Sequence, residues 1–311
     1  MARFVNPHIK RLRRNLFDAL LWFLGYYAEE KARPAIPEDF IYPSQPLPFD
    51  RNLPTAVWIG HSTYFVQNGE LSFLTDPVFG DYCSPFPIGA LKRSHEPAKQ
   101  IAELPHIDCI LLSHNHYDHL EEKSILELQQ RFPQLLWIVP LGLKKWFAKR
   151  GIEAVELNWW ESHSFKGCQI TAVPAQHFSG RGLFDKNQTL WCGYVVESKE
   201  KTFYFVGDTG YNLYDFKKIG EVWKQIDLSL IPIGAYIPRK FMEPVHISPF
   251  EAVQIHSDVA SRFSLGMHWK TFRLAEEAIN RPPYDLYLAM QDQSLDFGTF
   301  LPIEPGVHVN W

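Results

Sequence analysis

A chain of 311 residues with 46% hydrophobic and 15% aromatic content can bury one large core, so its length requires no second domain. Its net charge of −4 and pI near 6.4, without a basic stripe interleaved with aromatics, weigh against a nucleic-acid substrate. Cys83, Cys109, Cys168 and Cys192 form no C-x-x-C pair and read as free thiols in a reducing, cytoplasmic setting.

In chain order, Lys10-Arg11-Leu12-Arg13-Arg14 precedes an apolar stretch from Leu16 to Tyr27 that imitates a signal peptide. Asp18 interrupts it and no small-residue cleavage pattern follows; about 20 apolar residues would be needed to cross a bilayer. Leu12, Leu16, Ala19, Leu20, Phe23 and Tyr27 line one face of an amphipathic helix, with Leu21 and Trp22 off the stripe. That helix suits either peripheral membrane contact or packing on the domain or a second subunit. From Pro34 to Pro54 there are six prolines in 21 residues, which predicts an extended arm. Residues 1–54 therefore read as a helix and arm attached to a domain over 55–311.

Within that domain, helices are expected over Lys123–Arg131, Lys144–Arg150, Phe216–Gln225, Pro249–Ser257 and Leu274–Ile279. Strands are expected over Leu135–Val139, Gln188–Glu197 and Leu228–Pro232, and the tail from Phe300 to Trp311 stays unassigned. Alternating elements favour an α/β fold in layers.

The most informative segment is Ser113-His114-Asn115-His116-Tyr117-Asp118-His119, which follows the apolar run Ile107 to Leu112. The run reads as a buried strand that delivers three histidines and a carboxylate to a loop. Packing alone has no use for so many half-desolvated imidazoles, so metal binding is the direct reading. Three further strand-like runs end in ligand-type side chains: Gln169–Val173 leads to His177, Thr202–Val206 to Asp208, and Ser264–Met267 to His268. Imidazole and carboxylate donors without thiolate suit zinc, and also iron or manganese. Two such ions about 3.5–4 Å apart generate a nucleophile from water at neutral pH, so no serine or cysteine nucleophile is required.

Residue by residue, the set resembles the metallo-β-lactamase superfamily, whose H-x-H-x-D-H loop is followed by a lone His, a lone Asp and a final His. The resemblance implies a four-layer αββα sandwich with helices outside two facing sheets and the metals at a sheet edge. It also implies one ion held by His114, His116 and His177, a second by Asp118, His119 and His268, and Asp208 bridging both.

Further matches narrow the branch. They include Trp58-Ile59-Gly60-His61-Ser62-Thr63, Thr75-Asp76-Pro77, Pro140-Leu141-Gly142-Leu143, Asn158-Trp159-Trp160-Glu161, Arg181, Gly207-Asp208-Thr209-Gly210-Tyr211, Ile231 to Tyr236, His246 with Pro249, and His268-Trp269. From about residue 55 to about 275 the chain is similar to the N-acyl-phosphatidylethanolamine phospholipase D branch. That resemblance implies a dinuclear zinc hydrolase in which a metal-bridging hydroxide cleaves the lipid phosphodiester to phosphatidic acid and N-acylethanolamine. Asp118, Asp208 and His246 would be catalytic, with His246 facing the substrate phosphate; a phospholipid substrate, a membrane contact and a homodimer are implied as well.

His61 and Asp76 are candidates to orient the ligands from behind, although Asp76 in Thr-Asp-Pro also suits a turn. The remaining histidines, His8, His95, His106, His163, His256 and His308, have no converging context.

The sequence departs from the branch at Ser248, where an acidic residue usually precedes the proline, at Lys270, where glycine is usual, and at Trp191-Cys192-Gly193. Lys270 could add charge for an anionic head group or simply face solvent. Two other readings stay open: hydrolysis of a lactone, thioester or soluble phosphodiester on the same metals, and a non-catalytic lipid-binding role.

Overall fold

The computed structural model describes residues 3–9, 33–182, 184–199 and 201–311. The expected amphipathic helix near residues 12–27 lies outside these. Two seven-stranded sheets make up the core of the fold. In chain order the elements are β1 (Thr55–Gly60), β2 (Thr63–Asn68), β3 (Leu71–Thr75), β4 (Cys109–Leu111), α1 (Glu122–Arg131), β5 (Leu136–Pro140), α2 (Lys144–Ala148), β6 (Val155–Leu157), β7 (Ser162–Phe165), β8 (Cys168–Pro174), β9 (Cys192–Glu197), β10 (Thr202–Phe205), α3 (Asp215–Trp223), β11 (Leu228–Pro232), α4 (Arg239–Met242), α5 (Pro249–Asp258), β12 (Ser264–Met267), α6 (Pro282–Asp292), β13 (Phe300–Leu301) and β14 (His308–Asn310).

The first sheet runs β14-β1-β2-β3-β4-β5-β6 and the second β13-β12-β11-β10-β9-β8-β7. Each sheet has an antiparallel half and a parallel half. The change falls at β3, whose neighbours are antiparallel β2 and parallel β4, and at β10, whose neighbours are antiparallel β9 and parallel β11.

The sheets face each other across a core that includes Trp58, Tyr64, Phe73, Leu111, Ile170, Tyr194 and Phe205. Direct ties cross it: the Phe73 and Phe203 rings lie 5.2 Å apart, Tyr64 Oη donates to the Gly266 carbonyl at 2.8 Å, and Tyr194 Oη donates to the Leu112 carbonyl at 2.9 Å. Burying an aromatic ring while satisfying its hydroxyl is what lets tyrosine serve inside a sandwich. Outside the first sheet, Ile59, Leu74 and Ile110 pack with Ile125 and Leu128 of α1 and Phe147 of α2. On the second sheet, α3, α5 and α6 contribute Phe216, Ile219, Ala252, Ile255 and Leu286. The expected four layers are present.

α5 starts where Ser248 accepts from Glu251 N while the Glu251 carboxylate accepts from Ser248 N at 2.7 Å, with Pro249 in the first turn. This capping box gives the departure at Ser248 a local role.

The expected helix over Leu274–Ile279 does not form. Glu277 is buried there and its carboxylate accepts from Ala235 N at 2.6 Å and Ile237 N at 3.0 Å, while Glu276 N donates to the Ile237 carbonyl at 3.1 Å. Backbone of this segment is committed to the neighbouring loop rather than to itself, and the helix begins later, at Pro282. The strand expected from Gln188 starts only at Cys192, because Leu190 N bonds the Leu141 carbonyl outside the sheet ladder. The unassigned tail supplies both β13 and β14. The proline-rich arm lies along the domain: Tyr42 Oη donates to the Phe300 carbonyl at 2.7 Å and Arg281 Nη1 to the Pro34 carbonyl at 2.6 Å.

Candidate metal centre

The four strand ends named from the sequence converge at one end of the sandwich. β4 leads into the loop carrying His114, His116, Asp118 and His119; β8 leads to His177, β10 to Asp208 and β12 to His268. The loop after β4 is held from two sides. Asp76, just past β3, accepts from Ser113 N at 2.7 Å and Ser113 Oγ at 2.5 Å. Arg181 stacks 3.8 Å over the Tyr117 ring and donates from Nη1 to the carbonyls of Asn115 at 3.0 Å and Leu120 at 2.6 Å. This guanidinium therefore clasps the metal loop from outside.

Four groups of ligand-type atoms result among the described residues, each with its members within 4.8 Å of one another; two of them, His114-His116-His177 and His61-Asp118-His119-His268, hold six of the seven expected ligands. In the first, His114 Nε2 is 2.8 Å from His116 Nδ1, which is 3.2 Å from His177 Nε2. In the second, Asp118 Oδ2 is 3.3 Å from His119 Nε2, 3.6 Å from His268 Nε2 and 3.0 Å from His61 Nε2. Asp208 Oδ2 stands between the groups, 3.1 Å from both His119 Nε2 and His268 Nε2, 3.8 Å from His177 Nε2 and 4.0 Å from His114 Nε2. All seven residues expected as ligands are thus neighbours.

These residues fit cations. Asp208 Oδ1, His119 Nε2 and both ring nitrogens of His268 are buried without a hydrogen-bond partner among the described residues. Buried polar atoms are rarely left so, and His119 Nε2 and His268 Nε2 each lie 3.1–3.6 Å from Asp118 Oδ2 and Asp208 Oδ2, a spacing that suits donors around a shared cation. Charge gives the same answer. Burial pushes His114 and His177 well below the usual imidazole range and His116 down to about 4, so the first group consists of neutral ligands. Burial opposes charge on His119 and His268 too, but carboxylates outweigh it: Asp208, Asp118 and Asp76 raise His119 well above its ordinary value, and Asp208 and Asp118 raise His268 to about 9. Without a metal, the buried carboxylates draw protons onto their neighbours.

The supporting residues divide cleanly. Asp76 Oδ2 lies 2.6 Å from His119 Nδ1, so Asp76 orients that imidazole as well as closing a turn. His61 is closer to the centre than a purely supporting role requires: its ring centroid is 4.1 Å from that of His268. Its carbonyl accepts from His268 N at 3.0 Å, tying the ends of β1 and β12 together. His61, Asp76 and His268 have φ of 51°, 29° and 61°, left-handed conformations that cost side-chain-bearing residues roughly 1–3 kcal/mol each. His246 has Nδ1 4.0 Å from Asp208 Oδ2 and its ring 5.0 Å from His177. Burial holds it down to about 3, hence neutral.

Lys270 has a partner of its own outside the ligand groups. Its Nζ pairs with Glu304, and its φ of 61° explains why glycine is at ease in this slot. Cys192 is buried on the second sheet, and Gly193 beside it is required because a Cβ there would meet the Val206 carbonyl oxygen at 2.7 Å.

One contributor escaped sequence reasoning. Asn6 Nδ2 donates to the His177 carbonyl at 2.7 Å, and its Oδ1 accepts from Trp191 Nε1 at 3.2 Å. Residues 3–9 thereby form a strap, continued by His8 Nε2 3.3 Å from Asp215 Oδ1. A lone asparagine 171 positions from its partner leaves no signal in the sequence.

Residues 72–269 match the beta-lactamase superfamily domain. The chain is 41% identical over 263 residues to N-acyl-phosphatidylethanolamine-hydrolyzing phospholipase D 1 of Caenorhabditis elegans, covering 81% of this chain and 74% of that one. It is also 41% identical over 233 residues to the mitochondrial N-acyl-phosphatidylethanolamine-hydrolyzing phospholipase D of Saccharomyces cerevisiae, covering 72% of this chain but only 49% of the yeast protein. Among solved structures, Igni18, a metallo hydrolase of Ignicoccus hospitalis, superimposes with a TM-score of 0.64 at 18% identity over 83% of this chain and 98% of that one, a likeness of fold. The chain belongs to the metallo-β-lactamase superfamily and, within it, to the N-acyl-phosphatidylethanolamine phospholipase D-like branch of metal-dependent hydrolases.

Proposed function

We propose that this protein hydrolyses the phosphodiester of N-acyl-phosphatidylethanolamine-type lipids, releasing phosphatidic acid and N-acylethanolamine. The observation that carries the reading is Asp208 Oδ2 standing between a neutral three-histidine group and a group containing Asp118, in a chain 41% identical to a nematode enzyme named for that hydrolysis. His114, His116 and His177 would hold one divalent ion, Asp118, His119 and His268 the second, with Asp208 shared; zinc suits these donors, and iron or manganese would be accepted. When bound, two such ions supply Lewis acidity toward a phosphoryl oxygen and water ionised at neutral pH.

The chain's own residues do the rest. Asp76 and the His61 backbone fix the directions of His119 and His268. Neutral His246, beside Asp208, offers a hydrogen bond to a phosphoryl oxygen without adding a buried charge. Asp118 keeps one carboxylate in the second group, and Arg181 holds the loop that carries four of the seven ligands. Cleavage breaks the bond from phosphorus to the ethanolamine oxygen, which gains the proton lost by the incoming water.

The test is mass spectrometry of products after zinc-loaded protein meets N-acyl-phosphatidylethanolamine in mixed micelles, with Asp208→Asn as control. Phosphatidic acid and N-acylethanolamine from wild type alone are expected. Absence of both from metal-replete protein would overturn the reading and direct the search to other esters.

A further inference from the structure

The loop between β3 and β4 carries an apolar tip for which the metal chemistry has no use. Tyr82 and Lys92 form an isolated antiparallel bridge that closes the base of this loop, and Cys83 N donates to the Leu91 carbonyl at 3.1 Å. Beyond that base, Pro85-Phe86-Pro87-Ile88-Gly89-Ala90 are all exposed, with Phe86 70% and Ile88 48% accessible. Six consecutive exposed residues without a charge are unusual on a soluble surface.

The root of the loop is wired to the metal end of the sandwich. Cys83 packs with Val78 and Phe272, and the Phe272 ring lies 5.2 Å from that of His61, whose Nε2 is 3.0 Å from Asp118. Other loops that follow ligand residues also show large exposed apolar side chains: Phe184 at 82% after His177, and Leu213 and Tyr214 at 59% and 66% after Asp208.

We infer that the tip Pro85–Ala90 inserts into the interface of a lipid bilayer and sets the metal centre against the membrane surface; this rests on the lipid reading above. Two features favour a bilayer over a second copy of the chain. A stable protein interface takes about 20–30 residues a side, far more than a six-residue tip offers, whereas a few apolar side chains suffice for interfacial insertion. Part of the tip's backbone also needs no water. Pro85 and Pro87 have no N–H, Ile88 N donates to the Phe86 carbonyl at 2.8 Å, and Leu91 N donates to the Ile88 carbonyl at 2.8 Å. Exposed Lys92 follows the tip where anionic head groups would lie.

The test places an environment-sensitive nitrobenzoxadiazole dye on Ile88→Cys in the full chain; the four native cysteines are buried, which directs the label. Vesicles of phosphatidylcholine doped with phosphatidylglycerol should shift the dye emission to the blue, and brominated acyl chains should quench it. Phe86→Ser combined with Ile88→Ser should bind these vesicles roughly tenfold or more weakly, since each apolar side chain withdrawn from lipid loses a large part of its transfer energy. The same double variant should keep its turnover of a dispersed short-chain phosphodiester.

A dye that stays in water beside vesicles overturns the inference, whether or not lipid is hydrolysed. A blue shift that needs only high protein concentration, with a doubled mass by light scattering, overturns it in favour of a second copy. Insertion without hydrolysis of any N-acylated phospholipid leaves the loop assignment standing and removes the substrate reading instead.

Discussion

Asp76 Oδ2 lies 2.6 Å from His119 Nδ1, and neither side chain has any exposed surface. The same carboxylate accepts two hydrogen bonds from Ser113, so one residue sets both the start of the metal loop and the direction of a ligand near its end. Asp76→Asn should weaken binding of the second ion roughly 10–100-fold, the usual cost of losing such a partner. Metal content after dialysis and competition with a zinc chelator would check it. An unchanged affinity would reduce Asp76 to a turn residue.

Metal affinity should rise with pH up to about 9. In the ion-free protein Asp208 and Asp118 overcome the effect of burial and raise His268 to about 9, so below that pH the imidazole holds a proton that an ion must displace. Above it the ligand is ready. Competition titrations on either side of neutrality should therefore show tighter binding at the higher pH, with proton release visible as a buffer-dependent heat. A flat profile would mean His268 is not a ligand.

Glu277 should prove structurally expensive to lose. Its buried carboxylate accepts from Ala235 N, Tyr236 N and Ile237 N, and Glu277→Ala would strand all three donors at about 1–3 kcal/mol each. A clear fall in Tm with little change in the metal-to-protein ratio is the expected pattern. A variant as stable as wild type would contradict it.

Lys270→Gly should leave turnover nearly unchanged, because the lysine pairs with Glu304 and its backbone already adopts a glycine-favoured φ of 61°. Relief of that conformation, of order 1 kcal/mol, would offset the exposed ion pair. A tenfold or greater fall in kcat/KM would show instead that the ammonium acts on the substrate.

Asn6→Ala removes a hydrogen bond to the His177 carbonyl and another from Trp191, for a loss of about 1–2 kcal/mol. The strap over residues 3–9 should then become more accessible to limited proteolysis. Unchanged proteolysis would show that the remaining contacts suffice to seat it.

The convergence of the seven expected residues was legible because local sequence and strand patterning carried them: an apolar run followed by His or Asp reads the same at β4, β8, β10 and β12. Helices were legible too, α5 among them from Pro249 onward, while the capping box that starts it emerged only from the structure. The segment around Glu277 was not, because a helix-compatible composition was overridden by one buried carboxylate serving a loop some 40 residues away. The sequence reading left open whether Asp76 supports a ligand or only a turn, and the geometry gives it both tasks. Asn6 and the two short strands of the tail depend on partners across the whole chain, which no local pattern encodes.

Because the loop from His114 to His119 follows β4 of the first sheet while His177, Asp208 and His268 follow β8, β10 and β12 of the second, neither sheet alone contains a complete centre. Ions held there would act as a late cross-link, formed only after both sheets have docked, and would stabilise the native state by mass action against every partly folded one. Loss of metal is then a report on global integrity: chelation should lower the unfolding temperature of the whole molecule as one transition, and substitutions far from the chemistry should reveal themselves first as leakage of ions.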